Sequence, residues 1–138
     1  MANLDLTPAN VVPSGNANPQ RANAGVAIAA GDIVYKDGNG KLQLSDADGA
    51  AAAQAVQGMA VNSGGVGQPV NYVTEDDDID VGVAVEGEPY FLSATAGKMC
   101  VAGDLVPGMK TIFVGVGKAD GKLNFKPVAG GIVQPTEG

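Results

Sequence analysis

From Gly25 onward the chain breaks into short runs of β-type residues separated by turn residues, and this punctuation constrains the fold more than any other feature. The clearest unit is Asp32-Ile33-Val34-Tyr35, then Lys36-Asp37-Gly38-Asn39-Gly40, then Lys41-Leu42-Gln43-Leu44. Asp-Gly and Asn-Gly tolerate positive φ, and Leu42 and Leu44 alternate with polar neighbours, so this spacing predicts a β-hairpin. Thr111–Val116, the turn Lys118-Ala119-Asp120-Gly121 and Lys122-Leu123-Asn124-Phe125 predict a second hairpin of the same chemistry. Gly58–Val61 and Pro69–Val73 read as strands joined by a Gly-rich turn over 62–67, and Pro89–Ser93 as another. Ile79, Val81, Val83 and Val85 alternate strictly, the strongest strand signal in the chain. With 21 Gly and 8 Pro available for turns, the pattern predicts a mainly β protein, a small β-barrel or sandwich. Ser45–Gln57, rich in Ala, predicts at most one short helix, with an irregular loop over one end of the body as the alternative.

A chain of 138 residues fits one domain. Its apolar content is dominated by 21 Ala and 18 Val against three Phe, three Tyr and no Trp, so the core is thin and built from small side chains. Such a core makes association with neighbours the expectation. Fifteen acidic residues against eight basic ones give a net charge of -7, which works against neutralising a run of phosphates, so nucleic acid is not an expected partner. No stretch approaches a membrane span and no basic leader with an apolar run is evident, so a soluble cytoplasmic product is expected, with no membrane partner.

Residues 1–24 differ from the rest. They carry Pro8, Pro13 and Pro19, five Asn, and only Asp5 and Arg21 as charges, without a sustained period. This predicts an extended N-terminal arm ahead of a single β-rich domain at 25–138. Leu4, Leu6, Val11 and Val12 are apolar residues that a solvated tail does not need, and they are the candidate anchors, with Arg21 as a polar one.

Chemistry is scarce. Without His, neither a Ser-His nor a Cys-His nucleophile pair can be assembled, and with one Cys there is neither a disulfide framework nor a Cys/His metal site. No enzymatic activity and no cofactor are expected. The dense ionisable run is Glu75-Asp76-Asp77-Asp78-Ile79-Asp80, read as a solvated acidic loop. A Ca²⁺ site competes, but the run lacks the Gly and the terminal Glu of an EF-hand loop. Residues 75–88 hold seven acids and no base, whereas residues 98–138 hold five Lys against three acids. The chain therefore reads as having an acidic and a weakly basic pole, and Glu75, Asp76, Asp77, Asp78 and Asp80 facing Lys118 and Lys122 are candidates for electrostatic contacts between subunits. Gly64-Gly65-Val66-Gly67 lacks the context of a phosphate loop and reads as a turn, and Cys100 reads as a small core residue. Ala30-Gly31-Asp32-Ile33-Val34 is echoed by Ala102-Gly103-Asp104-Leu105-Val106, which fits either an internal duplication or a common tight turn into a strand.

Taken in order, the extended arm, Ala24–Tyr35, Gly40-Lys41-Leu42, the Ala run, Gln57-Gly58-Met59-Ala60, Gly67-Gln68-Pro69-Val70 and Gly87–Ser93 resemble the small capsid-decoration, or cement, proteins of tailed bacteriophages. The likeness spans roughly residues 24–117 and is one of texture and order. It implies a β-barrel or β-tulip-like body, a homo-oligomer with a trimer favoured, the major capsid protein as partner, and a place on the outer surface of the virion. A tail-associated or receptor-binding β module is the alternative, which would present aromatic residues from among Tyr35, Tyr72 and Tyr90.

Overall fold

The computed structural model describes residues 6–15, 17, 19–47, 56–93, 95–101, 110–127 and 132–133. Twelve strands run through these residues: β1 Gln20–Asn23, β2 Ile33–Lys36, β3 Leu42–Leu44, β4 Gly58–Ala60, β5 Pro69–Val73, β6 Asp76–Ala84, β7 Pro89–Leu92, β8 Met99–Val101, β9 Lys110–Thr111, β10 Phe113–Gly117, β11 Gly121–Phe125 and β12 Ile132–Val133. The first sheet has the order β1-β5-β4-β2-β3 and the second β6-β11-β10-β7-β8, while β12 and β9 form a short pair. Every named strand pair is antiparallel. The protein is therefore mainly β and sandwich-like, and its sheets stay open rather than closing into a barrel.

Both expected hairpins form. In the first, Val34 faces Leu44 and Lys36 faces Leu42. Its turn is organised by Asp37, whose carboxylate accepts the N–H groups of Asn39 and Lys41 and the side-chain amide of Gln43. In the second, Gly117 faces Leu123. Here Asp120 and Gly121 both take positive φ, 63° and 76°, the conformation that Asp-Gly reaches at low steric cost. Thr111–Val116 is not one strand: Lys110–Thr111 pairs with β12, and β10 begins only at Phe113.

The main core lies between the sheets. Ile33, Met59 and Val73 of the first meet Ile79, Val81, Tyr90, Leu92, Val114, Leu123 and Phe125 of the second. Each fully buried large side chain contributes roughly 1.5–3 kcal/mol. A second cluster of Ala24, Ile28, Val34, Leu42, Ala60, Val70 and Tyr72 lies on the opposite face of the first sheet. This explains why Ile33-Val34, Met59-Ala60 and Tyr72-Val73 are consecutive apolar pairs: neighbouring residues of a strand point to opposite faces, and here both faces are covered. One parallel bridge pairs Ala24, just after β1, with Leu42 of β3.

The alternation at Ile79–Val85 is only half inward. Ile79 and Val81 are fully buried, but Val83 and Val85 are 42% and 60% exposed. Gly82, at φ +82°, causes the change of face. The register against β11 slips there, from Lys122 opposite Asp80 to Gly121 opposite Ala84, and the bulge returns Ala84 rather than Val83 to the core.

Residues 20–23, assigned from sequence to the arm, are strand β1, paired with β5 from Gln20 opposite Tyr72 to Asn23 opposite Pro69. Alternation was too weak in Gln-Arg-Ala-Asn to reveal an edge strand with mostly exposed side chains. The Ala-rich segment at 48–55 and the echo at 102–106 lie outside the described residues.

Candidate functional site

The richest junction of polar and apolar groups is where the N-terminal segment meets β6. Pro8–Asn10 forms a single 3₁₀ turn, with Pro8 early in the turn where its missing N–H costs nothing. The chain leaves that turn extended, so Val11 enters the core between the sheets, 6% exposed, while Val12 points outward, 53% exposed. Val12 then acts as a strand of one residue: its N–H donates to the Asp80 carbonyl and the Asp80 N–H donates to its carbonyl, both at 2.9 Å. This pairing covers part of the β6 edge, which would otherwise present unpaired backbone groups.

Two residues further on, the Ser14 N–H donates to Asp76 Oδ2 at 2.8 Å and the Ser14 hydroxyl to Oδ1 at 2.5 Å. The Asp78 N–H gives Oδ1 a third bond at 3.1 Å. Asp76 is 4% exposed, and a carboxylate that far from water needs such donors. From Asp76 to Asp80 the acidic run is thus the first half of β6, not a solvated loop, and only Glu75 lies before the strand. Two-residue alternation turns Asp76 inward toward the arm while Asp77 stays exposed.

Asp78 and Asp80 have partners as well: the Asp80 carboxylate accepts the Gly82 N–H at 2.9 Å. Lys118 Nζ lies 3.1 Å from Asp78 Oδ1 and donates to the Asp77 carbonyl at 2.9 Å, and Lys122 Nζ lies 3.8 Å from Asp78 Oδ2. The acidic and basic poles inferred from sequence therefore meet within one chain, because β11 and its turn pair directly against β6. These groups are half-exposed, so each ion pair is worth about 0–1 kcal/mol. Glu75 and Asp77 are exposed and line an open cleft of about 540 Å³ with Thr74, Asn124, Phe125 and Lys126. Among the described residues no group of three or more acidic or Cys side chains is placed to hold a metal ion.

Of the arm's candidate anchors, Leu4 lies outside the described residues. Leu6 is half-buried against the core and Val11 is buried in it, so both serve the chain's own fold rather than standing free, and of the described apolar anchors Val12 alone is exposed. Arg21 sits on β1, where its Nε donates to Asn71 Oδ1 at 3.2 Å. Sequence inspection did not single out Ser14, whose partner is 62 positions away. It also missed Asp32, buried in the turn before β2, which accepts the Ala29 N–H and lies 3.4 Å from Lys98 Nζ.

Tyr72 and Tyr90 are each 1% exposed. The Tyr90 hydroxyl accepts the Val85 N–H at 2.9 Å, and Lys36 Nζ lies 5.8 Å from the centre of the Tyr72 ring. Only Tyr35 of the three remains partly accessible for an aromatic ligand surface. Cys100 is fully buried. Among the described residues no helix is long and apolar enough to cross a membrane. No family model matches the chain, and a search of curated proteins returns no match.

Proposed function

We propose that this chain is a structural virion protein that decorates the outer surface of an assembled tailed-phage capsid and stabilises it by binding across capsid subunits. The observation that carries this reading is the composition of the outer β6 edge. Val12, paired opposite Asp80, Val83 of β6 and Val85 just after it are exposed, and the same strand carries the half-exposed Asp78 with Lys118 and Lys122. Exposed apolar side chains on an edge strand that also carries charge suit a protein partner. The sandwich-like body and the family resemblance of residues 24–117 support the same reading.

The mechanism is mechanical. A protein that binds the assembled shell and not the free subunits shifts the equilibrium toward the shell, and many modest contacts linked through a lattice act together. The thin core favours a homo-oligomer, with a trimer as the form implied by the resemblance. A net charge of -7 suits an external location, where it repels DNA and neighbouring particles.

The test is co-sedimentation of the purified chain with emptied, expanded capsids of the phage that encodes it. Parent protein is expected to saturate the shells, and a Val83→Asp, Val85→Asp double variant with an unchanged fold to lose most binding. Full binding by the variant would remove this surface from the account, and no binding by the parent would end the proposal.

A further inference from the structure

We propose that the seat holding residues 6–15, made by β6 and the turn before β2, accepts the same segment from a second copy of this chain, so that copies become joined by exchanged arms. This inference does not rest on the capsid-binding reading.

The seat is local and complete. Its backbone part is the β6 edge at Asp80, which exchanges two hydrogen bonds with Val12. Its polar part is the buried Asp76 carboxylate, which takes both donors of Ser14. Its apolar part is made at Gly31, at positive φ, where a Cβ would lie 2.7 Å from Leu6 Cδ1 and 3.2 Å from Val11 Cγ2. The absent Gly31 side chain is thus what lets the arm lie close to the body.

None of these contacts depends on how the arm is connected to β1. Gly15 follows directly after Ser14, and an added Cβ there would meet nothing within 4 Å. Open space, a Gly at the pivot, and flanking Pro13 and Pro19 that disfavour helix give a hinge at which the arm can be handed over. Edge pairing, clasp and apolar seat are then satisfied equally well by an arm from either copy. A tethered arm competes at an effective concentration near ~1 mM, so exchange is expected when the chain refolds at comparable concentration.

The experiment uses full-length chains. A Val12→Cys variant and an isotopically heavy Asp80→Cys variant are unfolded together, refolded at ~0.01 mM and at ~1 mM, and oxidised only after refolding, which keeps Cys100 buried. Peptide mass spectrometry should find the disulfide between positions 12 and 80 joining a light to a heavy chain, at least tenfold more abundant at the higher concentration. A Val12→Cys, Asp80→Cys double variant supplies the control in which the link closes within one chain. A closed link in the double variant with no light-to-heavy link at either concentration would overturn the proposal. Parent chain refolded at the higher concentration should give dimers or larger species that survive dilution in native mass spectrometry, and monomer alone would overturn it whatever the cysteine variants do.

Discussion

Replacing Asp76 by Ala removes a carboxylate that is 4% exposed and accepts three hydrogen bonds, two from Ser14 and one from the Asp78 N–H. Hydrogen bonds to a charged group contribute roughly 1.5–3 kcal/mol each, but Ser14 is only half-buried, so water replaces part of what it loses. The expected net cost is about 2–4 kcal/mol. For a domain of this size each kcal/mol lowers Tm by roughly 3–5 °C, so Asp76→Ala should melt about 10 °C below the parent. Ser14→Ala, which removes only the hydroxyl donor, should cost about 1–2 kcal/mol. Because the two side chains form one contact, the double variant should cost less than the sum, with a coupling of roughly 1–2 kcal/mol. Urea unfolding of the four proteins measures this, and amide exchange locates it: the Val12 amide should lose protection first in both single variants. A cost below about 0.5 kcal/mol for Asp76→Ala, or strict additivity, would refute the claim that this clasp fastens the arm.

Four further outcomes follow from the packing and charge. A Cβ on Gly117 would lie 2.0 Å from the Val85 carbonyl oxygen, so Gly117→Ala should cost at least ~3 kcal/mol in chemical unfolding, near the upper end for forced overpacking. Phe125→Ala, from full burial between the sheets, should cost about 3–5 kcal/mol by the same assay. Lys122→Ala should change stability by less than about 0.5 kcal/mol, since its pair with Asp78 is long and half-exposed. The Gln43 amide and then the Lys41 and Asn39 N–H groups hold the Asp37 carboxyl below its usual 3.8. A lowered folded value means that its contribution is present above 3.8 and is lost as pH falls through the folded value. The stability gap between parent and Asp37→Asn in urea melts should therefore shrink in strong acid.

What the sequence revealed, and what it hid, follows from the range of the interactions. The hairpins at Ile33–Leu44 and Phe113–Phe125 were legible because Asp-Gly and Asn-Gly turns and their flanking alternation are local. The Ile79–Val85 strand was legible too, but not its change of face, because the bulge at Gly82 depends on how close the β11 turn comes: a Cβ on Gly121 would lie 2.7 Å from the Gly82 carbonyl carbon. The acidic run looked like a loop because charge density hides a strand whose partner is Lys-bearing β11. The clasp was hidden altogether. Ser14 carries no signal of its own, and Asp76 is one acid among five in its run, until folding brings them within hydrogen-bonding distance.

The measurement that tests the proposed decoration role most directly is the copy number of this chain relative to the major capsid protein in purified virions of the phage proposed to encode it. A decoration protein that stabilises the shell by covering it should be present at a ratio near one, or at a large fraction of one. A few copies per particle would instead place the chain at a tail or a single vertex, and its absence from virions would contradict the structural role outright.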